Sequence, residues 1–87
     1  TIIYYYYPQA KPLADSIIRT MTEQLPFNDD KVRRGSLAVV RNTNALSVLI
    51  EVAYLINPED NFKLINNDIQ KDTAKSIADG IEEFLKN

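Results

Sequence analysis

The residues able to do chemistry are few. The 87-residue sequence contains no histidine and no cysteine. That removes the Ser-His-Asp and Cys-His nucleophile systems and any usual zinc site completed within these residues. Catalysis here must rest on carboxylates or on groups supplied from elsewhere. One carboxylate stands apart. Glu51 lies in the middle of Ser47-Val48-Leu49-Ile50-Glu51-Val52-Ala53-Tyr54-Leu55-Ile56-Asn57, the most apolar run of the sequence. A carboxylate buried among such neighbours is costly, and without a partner its pKa rises. Glu51 is therefore expected to have either a partner, with Arg41 or Arg34 the candidate for a structural ion pair, or a task of its own. Glu59 and Asp60, a possible second carboxylate set, follow Pro58 at a helix start, where the helix dipole already accounts for them. Lys31, Arg33 and Arg34 could meet an anion, but no glycine-rich phosphate cradle accompanies them and they read as a solvated loop.

The elements that must position Glu51 alternate between strand and helix. Ile2-Ile3-Tyr4-Tyr5-Tyr6-Tyr7 is a β-prone run stopped by Pro8. Its tyrosines would be sent alternately to the two faces, which suits sheet packing better than a sugar-stacking platform. Leu13, Ile17, Met21 and Leu25 recur every fourth residue and predict an amphipathic helix from about Pro12 to Leu25, with Met21 as core filler. Phe27 to Gly35 reads as a polar connector. Ser36-Leu37-Ala38-Val39-Val40-Arg41 reads as a second strand, and Asn42-Thr43-Asn44 as the turn that makes it a neighbour of the Glu51 strand. Within that third strand Val48, Ile50, Val52 and Tyr54 share one face, and Leu49, Glu51, Ala53 and Leu55 the other.

A short helix from Pro58 to Ile65 and a longer one from about Asp68 to Leu85 close the chain. Asn67 or Asp68 is the expected cap, and Ile69, Ala74, Ile77, Ala78, Ile81, Phe84 and Leu85 the expected apolar face. Gly80 in the helix interior costs about 1 kcal/mol relative to alanine, so close packing against the sheet is expected there. The order is βαββαα, an α/β pattern of three strands and three helices, with too few strands for a complete sheet.

Composition narrows the partners. Hydrophobic residues make up 45% and charged residues 25%, and the formal net charge is -2. That balance gives no reason to expect nucleic acid or an acidic membrane as the main partner. No apolar run approaches the roughly 20 residues needed to span a bilayer, so no membrane insertion is expected. The first residue is Thr1 and the chain opens directly on a strand, as if an earlier part had been cut away.

Taken together, Val39-Val40-Arg41, Ser47 to Glu51, Leu55-Ile56-Asn57-Pro58-Glu59-Asp60 and the closing helix resemble the C-terminal part of the zinc-dependent N-acetylmuramoyl-L-alanine amidases of bacterial cell walls. The tyrosine-rich strand and the helix after it fit the same order. The sequence departs from that family's pattern at Leu46, where proline is preferred, at Ala53-Tyr54, and at Ile56. The resemblance implies that residues 1–87 form the C-terminal portion of a larger mixed-sheet α/β amidase domain, with the zinc-ligand half upstream. It further implies zinc in the complete domain, peptidoglycan as substrate, and a site in the periplasm or cell wall. Under it Glu51 is the general base and acid, while Asn57 and Arg41 orient the site or the substrate. These residues alone are then expected to hold no zinc and to be inactive. The competing expectation is a non-enzymatic α/β interaction module with Glu51 in a structural ion pair.

Overall fold

The structure, a computed structural model, describes residues 1–41, 44–53 and 58–87. Strand β1 (Ile2–Tyr5) is the centre of a three-stranded mixed sheet. It pairs in parallel with β2 (Lys31–Arg34) and antiparallel with β3 (Leu49–Glu51). The three strands and three helices form the expected βαββαα order.

Strand β1 ends earlier than Tyr7 because Pro8 opens a short 3-10 turn, Pro8–Ala10, in which the Ala10 amide donates to the Tyr7 carbonyl. The turn runs directly into helix α1 (Lys11–Gln24), with Pro12 in its first turn, where a missing amide is harmless. Helix α1 lays Ala14, Ile17 and Met21 on the sheet, and with Ile3, Leu25, Phe27 and Ala53 they make the core. Val48, Ile50 and Val52 pack against that core as their alternation predicts.

Two segments differ from the sequence expectation. The second strand is Lys31–Arg34, inside the stretch read as a connector, and Ala38–Val40, read as strand, is a 3-10 turn. The strand carries one inward apolar side chain, Val32, and is held mainly by its backbone. The Lys31 amide donates to the Thr1 carbonyl and the Gly35 amide to the Tyr5 carbonyl. In the 36–41 segment the Val40 and Arg41 amides instead turn back to the Leu37 and Ala38 carbonyls, and Val40 alone is buried.

Helix α2 (Pro58–Leu64) is tied to the loop after α1 by Lys63, whose ammonium donates to the Pro26 carbonyl and lies 5.8 Å from the Phe27 ring centre. Helix α3 (Asn67–Lys86) packs on the outer side of α1. Its cap is Asn66, one residue before the expected position, with Oδ1 accepting from the Asp68 and Ile69 amides. Gly80 is closely packed, but against α1 and not the sheet. A Cβ placed on it would stand 2.6 Å from the Ile17 Cα. Small side chains line this crossing. The Ser16 hydroxyl donates to the Gly80 carbonyl, and the Thr20 hydroxyl to the Ser76 carbonyl, each at 2.7 Å. The buried stripe therefore runs through Ser76 and Gly80, leaving Ile81 and Leu85 on the exposed side.

Candidate functional site

The pairing register decides what stands beside Glu51. Ile2 of β1 is flanked by Lys31 on one side and Glu51 on the other, and Tyr4 by Arg33 and Leu49. Residues side by side in a sheet point to the same face. Val32, Ile3 and Ile50 face α1, so Lys31, Glu51, Arg33 and Leu49 lie on the opposite face, where all four are exposed. The expectation of a buried carboxylate is thus corrected. Glu51 belongs to the apolar run by sequence, but by alternation it is turned away from the core that buries Ile50.

The position of Glu51 is nevertheless well defined. Its neighbour Val52 accepts a 2.6 Å hydrogen bond from the hydroxyl of Thr1, which is buried at the start of β1. This bond fastens the end of β3 to the central strand one residue from Glu51. Glu51 thus sits on a short strand fixed to β1, with its side chain exposed to solvent.

The proposed ion-pair partners lie elsewhere. Arg41 is an exposed residue ending the 38–40 turn, and among the described residues no ion pair joins it to Glu51. The physical reason is topological, since the 36–41 segment is not a strand and β3 pairs with β1. Arg34 is taken by Tyr6, donating to its carbonyl at 2.9 Å and stacking 4.5 Å from its ring centre. Asn57 lies outside the described residues. Glu59 and Asp60 occupy the first turn of α2, as the helix-dipole argument expects, and Glu59 pairs with Lys63.

Sequence reasoning placed Lys31 and Arg33 in a loop and so missed that they share a sheet face with Glu51. The signal that finds them is the strand register, which no periodicity in Lys-Val-Arg-Arg discloses. A cleft of about 440 Å³, lined by Tyr7, Gln9, Val40, Leu46 and Ser47 among others, lies by the end of β1 remote from Ile2 and Glu51. No group of three or more potential metal ligands converges among the described residues, and no described helix is long and apolar enough to cross a membrane.

A three-stranded mixed sheet with helix α1 packed on one face and the exposed Glu51 on the other is an α/β arrangement. The chain belongs to the N-acetylmuramoyl-L-alanine amidase family, whose model matches residues 1–83. The fold matches the N-acetylmuramoyl-L-alanine amidase AmiC2 of Nostoc punctiforme with a TM-score of 0.90 and 28% identity, covering 99% of this chain and 48% of that one. It matches the catalytic domain of CwlV, an N-acetylmuramoyl-L-alanine amidase from Bacillus (Paenibacillus) polymyxa var. colistinus, equally well, with a TM-score of 0.90, 33% identity, and coverage of 98% and 48%. The chain is also 25% identical over 83 residues to Probable cell wall amidase LytH of Staphylococcus aureus, covering 95% of this chain. It spans 28% of the length of that relative and about half of each solved chain.

Proposed function

We propose that these residues supply the Glu51 face to a domain that hydrolyses the amide between N-acetylmuramic acid and the L-alanine of the peptidoglycan stem. The observation that carries this reading is the amidase family match over residues 1–83, joined to a TM-score of 0.90 with two N-acetylmuramoyl-L-alanine amidases. The residues correspond, in this reading, to the C-terminal portion of the catalytic domain, acting in the periplasm or at the cell wall.

In this mechanism the Glu51 carboxylate takes a proton from the attacking water as the water oxygen bonds to the carbonyl carbon. It returns that proton to the alanine nitrogen as the C–N bond breaks, so the products are a carboxylic acid and a free amine. Proton transfer of this kind contributes about 10²–10⁴-fold to rate. The exposed position of Glu51 leaves it accessible to both water and leaving group.

Zinc, which the family resemblance implies, does not fit these residues alone. The sequence offers neither histidine nor cysteine, and no three carboxylates converge among the described residues. In this reading its ligands lie on the remainder of the domain, outside residues 1–87.

The test is hydrolysis of purified peptidoglycan by the complete gene product carrying these residues, beside its Glu51→Gln variant. Release of stem peptides with a new L-alanine amine, abolished in a folded variant, supports the reading. Equal activity of the two proteins removes Glu51 from the mechanism.

A further inference from the structure

The sheet face that carries Glu51 also carries two cations. In register, Lys31 stands across β1 from Glu51, and Arg33 stands two residues further along β2. Both are exposed, and among the described residues neither joins an ion pair, whereas the adjacent Arg34 is engaged by Tyr6. Two interstrand spacings separate Lys31 from Glu51, about 10 Å between Cα atoms, and Arg33 is about 7 Å beyond Lys31 along the strand. Between Lys31 and Glu51 in register lies Ile2, which is itself buried at 6% exposure.

We infer that Lys31 and Arg33 are specificity-determining residues that bind a carboxylate of the stem peptide while its first amide is held at Glu51. The inference rests on the amidase reading above. The spacing sets which carboxylate. An extended peptide advances about 3.3–3.6 Å per residue, so a chain leaving the scissile amide and crossing β1 brings its second or third residue to β2. A guanidinium grips a carboxylate through two parallel hydrogen bonds, and an ammonium adds a flexible point charge. Placing both on the strand opposite the proton-transfer group fixes the direction in which the stem lies across the sheet. It also favours an acidic stem over one whose carboxyls are amidated.

The experiment uses the complete gene product and two soluble muropeptides that differ only in whether the stem carboxyls are free or amidated. Wild type, Lys31→Gln and Arg33→Gln are assayed on both, with KM and kcat determined separately. The expected result is a rise of about three- to tenfold in KM on the acidic stem for each variant, with kcat little changed and no effect on the amidated stem. Raising ionic strength should move the wild-type KM on the acidic stem toward that of the variants. Equal losses on both stems, or no loss on either, overturn the inference while leaving the amidase reading in place. A wild-type protein that hydrolyses neither muropeptide overturns that reading, and the inference with it.

Discussion

Gly80 of α3 lies directly over Ile17 of α1, so close that a Cβ at position 80 would stand 2.6 Å from the Ile17 Cα. The obstacle is backbone, which cannot rotate away as a side chain can. Alanine normally gains about 1 kcal/mol over glycine within a helix. Here the overlap outweighs that gain, because overpacking of this kind costs about 1–3 kcal/mol and pushes the helices apart. Gly80→Ala should therefore lower stability, read as an earlier urea midpoint with the slope unchanged. A midpoint raised by the better helix former would show that α1 and α3 do not meet at Ile17 and Gly80.

The same crossing predicts a failed rescue. The Thr20 hydroxyl is the second obstacle to a Cβ at position 80, at 2.7 Å. It also donates to the Ser76 and Ile17 carbonyls. Thr20→Ala should cost about 1 kcal/mol through the lost buried hydrogen bond. Combined with Gly80→Ala it should restore little, since Ile17 remains. A double-mutant cycle in urea with near-complete recovery would show that the side chain, and not the backbone, sets the limit.

The start of α3 tests a one-residue difference between sequence and structure. Asn66, Asn67 and Asp68 are all reasonable caps by composition. Only Asn66 has its side chain accepting amide hydrogens from Asp68 and Ile69, at 2.9 and 3.1 Å. Asn66→Ala should cost about 1 kcal/mol of stability, and Asn67→Ala less than about half of that. Thermal unfolding of the two variants side by side checks it, and the reverse ranking would move the cap back to Asn67.

The long amphipathic segments were legible because their apolar spacing repeats over several turns, as Leu13, Ile17 and Met21 do in α1. Strand β2 was not. Lys31-Val32-Arg33-Arg34 has a single apolar residue, and what makes it a strand is the backbone ladder to β1, a long-range pairing that no local pattern encodes. Ser36 to Arg41 shows the converse, a β-prone composition that the chain turns into a 3-10 corner. In α3 Ile69 and Ile77 pack against the core as expected, but Ile81 and Leu85 are exposed, because packing against Ile17 and Thr20 required Ser76 and Gly80 in place of larger side chains. For the candidate site, the alternation of Val48, Ile50 and Val52 was correct and already implied that Glu51 points the other way. What hydropathy alone did not disclose was that Glu51 itself is exposed there.

A surface carboxylate offers a pH test. Asp79 has its pKa lowered from 3.8, first by the hydrogen bond from Lys75 and next by that from Gln24 of α1. A carboxylate whose folded pKa is depressed adds stability above its unfolded pKa and loses it as pH falls through the folded value. Asp79→Asn should therefore leave stability near neutral pH slightly reduced and flatten its decline below about pH 4. Carboxyl titration by NMR should place the Asp79 midpoint below 3.8, and Lys75→Ala should raise it. An Asp79 midpoint at or above 3.8 would show that the pairing with Lys75 does not persist in solution.

Glu51 separates its two possible roles by how stability and activity move together. If it were buried and paired, removing its charge would leave a partner stranded in the core, a loss of about 3–5 kcal/mol. It is instead exposed, and its tether to the fold runs through the backbone of Val52, not through its own side chain. Substitution at an exposed position without such a partner changes stability by less than about 0.5 kcal/mol. Glu51→Gln should thus unfold at the wild-type urea midpoint while kcat on peptidoglycan falls about 10²–10⁴-fold. A variant that loses stability and activity in parallel would make Glu51 a structural residue. A variant that keeps both would leave the proton transfer to a group outside these residues. Only unchanged stability with lost turnover is consistent with a carboxylate held out to solvent for its chemistry.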